Sequence, residues 1–396
     1  MKYIVIIGDG MADFPLDELG GKTPLMAAHK PFMNMMAKDG FCGKVSTVPQ
    51  GFSPGSDVAA MSIFGYNPAE YYTGRAPIEA AGMGIELRDL DVAFRCNLVS
   101  LDMNPDHTIM ADYSGGHVTT EEAKVLINAL NEALGRDEFE FFPGVSYRHI
   151  MVWRNGKWQM SSTPPHDITG RQIGEYLPKG EAALTALGLM KASQKLLGSH
   201  PVNELRKKAG KLSANSIWLW GQGKKTVLPP FAGKFHLKGA TVAAVDLVKG
   251  VSRLAGFDAP YVAGATGYLD TDYGAKANKA LALLKDHDIV YVHIEAPDEA
   301  SHNGDVKEKI KAIERIDSLV VGELFQKARD TARFLIVTDH ATPISMKTHY
   351  AQPVPFVIYD ANRKVRGCET GYDERTGDTV ISGEEMITIL TQGQKP

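Results

Sequence analysis

Asp298 and His302 stand four residues apart in Asp-Glu-Ala-Ser-His. On a helical turn that spacing puts a carboxylate and an imidazole on one face, where both can hold a single cation. Asp339-His340 is a second pair, His349 lies nine residues on in Lys-Thr-His-Tyr, and Asp9 adds a carboxylate near the N-terminus. Three aspartates and three histidines, without a thiolate among them, form an oxygen and nitrogen donor set. Such a set suits Mn²⁺, Zn²⁺ or Fe²⁺, and it fits two ions better than one. A further element is Pro54-Gly-Ser56-Asp-Val-Ala-Ala-Met61, in which Ser56 opens an apolar, helix-like stretch. Two roles are open to that serine. It can cap the helix, the common role of a serine there. It can also act as a nucleophile, because a helix N-terminus favours an alkoxide and a phosphate, and a metal ion lowers the hydroxyl pKa further.

These residues need elements that bring them together. Tyr3–Ile7 runs into Asp9, Ile289–Ile294 runs towards Asp298, and Phe334–Thr338 runs into Asp339-His340. Apolar runs without alternation predict strands buried on both faces, as in a parallel sheet. In open α/β sheets ligands sit beyond the carboxyl ends of the strands, so the three termini point to one shared site. Asn278–Lys285 and Val306–Ala328 carry apolar residues at helical spacing. The middle of the chain has another character. Val92–Leu101, Ser146–Trp153 and Lys157–Met160 read as strands, and Glu121–Leu134 and Lys179–Leu197 as helices. A second strand–helix succession restarts at Thr241–Leu247. The expected fold class is therefore α/β, a mainly parallel sheet flanked by helices and interrupted by an inserted α+β domain. The expected boundaries are 1–85 and 215–396 for the core and 86–214 for the insert.

The composition excludes several classes of function. Of 396 residues 44% are hydrophobic and 23% charged, with a formal charge of −4, which describes a water-soluble globular protein. No basic run offsets that charge, so neither nucleic acid nor an anionic membrane is an expected partner. Cys42, Cys96 and Cys368 are odd in number and far apart, which argues against a disulfide framework and for a reducing compartment. With no signal-like segment and no stretch approaching 18 apolar residues, the expected location is cytoplasmic. The sequence has neither a P-loop nor a kinase glycine-rich loop.

Taken in order, Asp9, the Gly55-Ser56-Asp57 helix start, Asp298-x₃-His302, Asp339-His340 and His349 resemble the site of the alkaline phosphatase superfamily. The segments ELGGKTPL, GSDVAAMSIFGYNP, YYTGRAPIEAAGMG, VAFRCN, WLWGQG, LVKGVSRLAG, GATGYLDT and TDHATP are similar to the archaeal type of cofactor-independent phosphoglycerate mutases. The resemblance implies one metal held by Asp298, His302 and His349, and another held by Asp9, Ser56, Asp339 and His340. It implies two divalent ions, manganese first, with zinc, iron, cobalt or magnesium as other candidates, and no 2,3-bisphosphoglycerate. Ser56 would accept the phosphoryl group of a small phosphorylated metabolite and return it to the other hydroxyl of glycerate. Monomer and homo-oligomer are both compatible with it.

Charge adds to this picture. Two divalent ions would be neutralised by three aspartates and a Ser56 alkoxide, so a phosphate dianion needs cations from elsewhere. Lys249, expected in a turn after a strand, matches the family's phosphate-contacting lysine, and Arg75 is a second candidate. The insert should grip the glycerate through Ser114-Gly-Gly-His117, Tyr147-Arg148-His149 and Pro165-His166-Asp167-Ile-Thr-Gly-Arg171. His117 resembles the family's proton shuttle, and Arg148 and Arg171 suit a bidentate grip on a carboxylate. Where archaeal mutases carry an arginine-rich stretch, this chain has Asp112-Tyr-Ser-Gly-Gly-His117. That version is similar to a bacterial subgroup resembling homoserine kinases, so an ATP-dependent transfer through Ser56 is an alternative expectation, and a non-catalytic metal-binding scaffold a third.

Overall fold

The computed structural model describes residues 1–104, 107–377 and 379–392. The chain divides into two compact units, Met1–Tyr72 with Val227–Pro396, and Thr73–Thr226. The second unit extends beyond 86–214 at both ends. Helix Arg75–Gly82 packs against strands Val92–Met103 and Ser216–Lys224 and so belongs with the sheet it covers.

The first unit is built on a seven-stranded sheet. Its order is Gly239–Val242, Ile289–Ile294, Lys2–Gly8, Ala332–Thr338, Val354–Tyr359, Phe41–Ser46 and Val380–Ser382. The pairings are parallel except those of Val354–Tyr359 with its two neighbours, so the sheet is mainly parallel, as expected. The second, third and fourth strands in this order are the apolar runs, and every residue of Ile289–Ile294 is buried. Their register matters most for the site. Gly8 pairs with Ile294 on one side and with Thr338 on the other. The next residues, Asp9, Glu295 and Asp339, therefore emerge side by side at one edge.

Helices cover both faces. On one, Ala277 and Ala280 of helix Tyr273–Leu283 join Val290, Val292 and Ile294 in the core. On the other, Phe64, just past helix Ser56–Ile63, stacks on Tyr291 with ring centroids 4.1 Å apart. Helix Asp246–Leu254 packs against that helix and carries Lys249, which is thus helical and not in a turn. Leu247, Val248 and Val251 give the segment a buried stripe at helical spacing that outweighs Gly250. The run Val306–Ala328 is helical throughout but widens to π-helical turns at Ile316–Val321. There Asp317 accepts from the backbone of Phe32 and Met33, at 3.2 and 2.7 Å, at the start of another helix.

The second unit is an antiparallel sheet centred on Val92–Met103, which pairs with Thr108–Asp112, Arg148–Trp153 and Ser216–Lys224. Helices Thr120–Leu134 and Ala183–Leu197 contribute to its core, the first opened by a reciprocal Thr119–Glu122 capping box. Three expectations are corrected here. The strand read at Lys157–Met160 is reduced to Met160–Ser161, and Lys179 begins a two-residue strand, with the helix starting at Ala183. Ser146, at φ 53°, lies in the turn before its strand. The cysteines are free, and no helix among the described residues is long and apolar enough to cross a membrane.

Candidate metal and nucleophile site

Sheet register delivers the first candidate ligands. Asp9 follows its strand directly, and the chain turns at Gly10 with φ 63°. A Cβ at Gly10 would lie 2.8 Å from the Asp298 Cα, so only glycine lets the two segments meet. Gly10 N–H donates to Asp339 Oδ1 at 3.0 Å, and His340 N–H donates to the same oxygen at 2.7 Å. Asp339 Oδ2 and Asp9 Oδ1 are both buried and without a hydrogen-bond partner. Asp298 and His302 share helix Ala296–Asn303, with Oδ2 and Nε2 3.2 Å apart, as their four-residue spacing predicts. The loop after Thr338 supplies His340 and His349, whose rings lie 4.0 Å apart.

Hydrogen bonds fix which ring nitrogens face the cluster. His302 Nδ1 lies 2.9 Å from the Lys347 carbonyl and His349 Nδ1 lies 3.4 Å from that of Pro54. A carbonyl only accepts, so each Nδ1 donates, and in the neutral rings each Nε2 is left with a lone pair. Those two Nε2 atoms stand 3.1 Å apart beside Asp298. Thr342 Oγ1 donates its single proton to Asp298 Oδ1 at 2.6 Å, so it must accept from His340 Nδ1 at 3.1 Å. The His340 Nε2 lone pair is thereby aimed at Asp339 Oδ2, Asp9 Oδ1 and Ser56 Oγ, at 3.3, 3.6 and 3.2 Å.

Ser56 is the first residue of helix Ser56–Ile63; Gly55 holds the cap position and no side chain caps the helix. Of the two roles open to Ser56, capping is excluded, and its hydroxyl meets the cluster instead.

Donor atoms of Asp298, His340 and His349, and again of Asp9, Asp339 and His340, converge closely enough to bind an ion. The chemistry of the set fits a cation: buried carboxylate oxygens without a hydrogen-bond partner stand beside imidazole lone pairs. Proton affinities point the same way. Burial pushes the Asp9 carboxyl well above its ordinary value, and the Asp339 and Asp298 charges add to it. Burial takes His340 down to about 4. Burial opposes the proton on His302 too, but the adjacent Asp298 outweighs it and raises that group to about 9. Burial would lift Asp298, but the His302 and His349 rings beside it hold it well below the usual range.

Lys249 lies one helix over, 3.8 Å from Asp246. In the second unit Arg75 and Arg95 flank Glu79, with ion pairs of 2.9 and 2.8 Å, and Arg95 lies 4.4 Å over Trp220. Arg148 belongs to this charge cluster by its electrostatic effect on Glu79 and stands 5.1 Å from the Tyr147 ring. His166 packs against Trp220 and Tyr113. Arg171 is exposed and donates to Tyr176 at 3.3 Å; Asp167 is exposed near it. His117 is exposed at φ 53°, its N–H held by Ser114. His149 is buried and accepts from Gly144, a structural role. Sequence reasoning missed Thr342, Arg95, Glu79 and Trp220; the phrases TDHATP, VAFRCN and WLWGQG held three of them without revealing their partners.

A family model described as 2,3-bisphosphoglycerate-independent phosphoglycerate mutase matches residues 37–203. The probable 2,3-bisphosphoglycerate-independent phosphoglycerate mutase of Geobacter sulfurreducens is 52% identical, over 98% of this chain and 99% of its own. The corresponding protein of Methanosarcina barkeri is 46% identical over 100% of both. Among solved structures, a Pyrococcus horikoshii protein matches at TM-score 0.82 and 30% identity, over 100% of this chain and 98% of that one. The cofactor-independent phosphoglycerate mutase of Thermoplasma acidophilum matches at TM-score 0.65 and 28% identity, over 99% of each.

Proposed function

The chain belongs to the 2,3-bisphosphoglycerate-independent phosphoglycerate mutase family, and we propose that it interconverts 2- and 3-phosphoglycerate through a phosphoryl group carried on Ser56. The observation that carries this reading is the convergence on Ser56 Oγ of a fixed His340 lone pair beside the unpartnered oxygens of Asp9 and Asp339.

Asp298, His302 and His349 would hold one divalent ion, and Asp9, Ser56, Asp339 and His340 the other. Bound there, such ions acidify a serine hydroxyl and neutralise charge on transferring phosphoryl oxygens. The helix that begins at Ser56 turns its first N–H groups towards the same place, which suits a phosphorylated serine. Lys249 is assigned to the phosphate on the strength of its helix packing against the Ser56 helix. In the second unit, Arg75 and Arg148 would take the carboxylate of glycerate, because together with Arg95 they outnumber Glu79 and leave the cluster cationic. Arg171 and Asp167 would border the glycerate, and His117 would carry protons between its two hydroxyls. The reaction needs no 2,3-bisphosphoglycerate, since Ser56 itself stores the phosphoryl group. Manganese is the metal we assign first, and the cytoplasm the location.

The test is a coupled assay of manganese-loaded protein on 3-phosphoglycerate beside ATP with homoserine. Formation of 2-phosphoglycerate supports the reading. Phosphohomoserine in its place would redirect the acceptor, and no product from either would leave a metal-binding scaffold.

A further inference from the structure

His293 is a histidine inside a wholly buried apolar strand, 1% exposed, and nothing in the mechanism above uses it. Its two ring nitrogens face two carboxylates. Nε2 lies 3.5 Å from Asp9 Oδ2, and Nδ1 lies 3.0 Å from Glu295 Oε1, charge contacts that fall outside hydrogen-bond geometry. Glu295 continues the chain, for Lys276 Nζ reaches its Oε2 at 2.8 Å and also donates to the His293 carbonyl at 2.9 Å. Lys276 is fully buried and Glu295 is 4% exposed. A buried ammonium and carboxylate are costly to desolvate, and a hydrophobic pair would fill the same space at less cost. Their retention calls for a role.

The geometry of Asp9 supplies one. Its Oδ2 turns to His293, and its Oδ1 points without a partner at His340 and Asp339. We infer that Lys276, Glu295 and His293 form a buried brace that orients Asp9 as a ligand of the metal held with Asp339 and His340. The brace anchors a strand end to helix Tyr273–Leu283, so the carboxylate is positioned by core elements and not by its own loop. Ligating carboxylates elsewhere depend on such outer partners, whose loss costs roughly 10–100-fold in metal affinity. His293 is a positioning residue in this account. At Asp298 and His302 the orienting contacts are different ones, from Thr342 and to the Lys347 carbonyl. Its effect should therefore fall on one of two ions.

The inference rests on the two-metal reading, and one experiment separates the two. Free Mn²⁺ is followed by electron paramagnetic resonance as it is titrated into metal-free protein. Wild type should take up two ions per chain. H293N keeps a group towards Glu295 but withdraws the contact with Asp9. It should weaken one class of site by roughly 10–100-fold and leave the other unchanged. H293Q, whose amide reaches further, should recover part of the loss. E295Q keeps the shape, weakens the same class, and decides the matter alone should the His293 variants not fold. Two unchanged classes, or equal weakening of both, would overturn the brace while leaving the two-metal reading intact. Wild-type protein that binds fewer than two ions would overturn both.

Discussion

Thr342 donates its hydroxyl proton to Asp298 Oδ1 at 2.6 Å, and this one bond decides the tautomer of His340. A hydroxyl has a single proton, so the oxygen 3.1 Å from His340 Nδ1 can only accept there. One threonine thus orders a residue of each candidate metal group. Thr342→Val keeps the volume and removes both bonds. We expect metal affinity to fall roughly 10–100-fold, with Thr342→Ser close to wild type. Calorimetric titration of the metal-free variants measures it. Wild-type affinity in the valine variant would show that His340 is oriented by other contacts.

Ser56→Ala should abolish mutase activity and the protein's labelling by phosphate from 3-phosphoglycerate. Because Ser56 does not cap the helix and its hydroxyl makes one part-buried contact, with His340, the stability change should remain within about 1.5 kcal/mol, the upper end for one net hydrogen bond. Radiolabel incorporation and thermal unfolding of one preparation report both. Residual activity above a few per cent would remove Ser56 as the phosphoryl carrier.

The clustering of the candidate ligands was legible because they sit where apolar runs end, and parallel strands in register bring such ends to one edge. Asp298 and His302 were legible from spacing alone, since a single helix holds both. What could not be read were partners that another element supplies. His293 and Lys276 look like polar interruptions of a buried strand and a helix until register sets them beside Asp9. Thr342 needs the loop's fold to reach both Asp298 and His340. Lys249 was read as turning with Gly250, where the buried stripe of Leu247, Val248 and Val251 prevailed. The insert's edges were missed because helix Arg75–Gly82 has its partners more than a hundred residues away in part, on Ser216–Lys224.

Metal uptake should be proton-linked. In the metal-free protein burial works against the His302 proton, but Asp298 outweighs it and raises that group to about 9, so it is charged at neutral pH. A group raised in the folded state stabilises it fully below its unfolded value, near 6.5, and loses that contribution as pH climbs through about 9. The metal-free wild type should therefore lose stability relative to His302→Gln between about pH 6.5 and 9. Metal binding follows the opposite sign, because an ion requires the unprotonated ring. Affinity should rise with pH up to about 9, and adding metal at pH 7 should release protons. Indicator-dye measurements in weak buffer test the release, with less expected from His302→Gln. Binding without proton release would mean that His302 is not a ligand.

Arg75 and Arg148 offer a test of the second unit that leaves the metal chemistry untouched. Glu79 lies half-buried between Arg75 and Arg95, and although desolvation would raise its carboxyl, the two guanidinium groups hold it below the ordinary value. Its single charge is thus shared by two cations, with Arg148 adding a third to the same field. The cluster carries net positive charge and suits a carboxylate. Arg75→Ala or Arg148→Ala should weaken substrate binding, raising KM about 10-fold or more, the effect of a lost charge-assisted hydrogen bond. Metal content should not change, because neither residue belongs to the ligand set. Steady-state kinetics with metal analysis on each variant distinguishes the outcomes. Unchanged KM in both would move carboxylate recognition to other residues of this unit, with Arg171 the next to substitute. Loss of metal alongside activity would contradict the separation of roles between the two clusters.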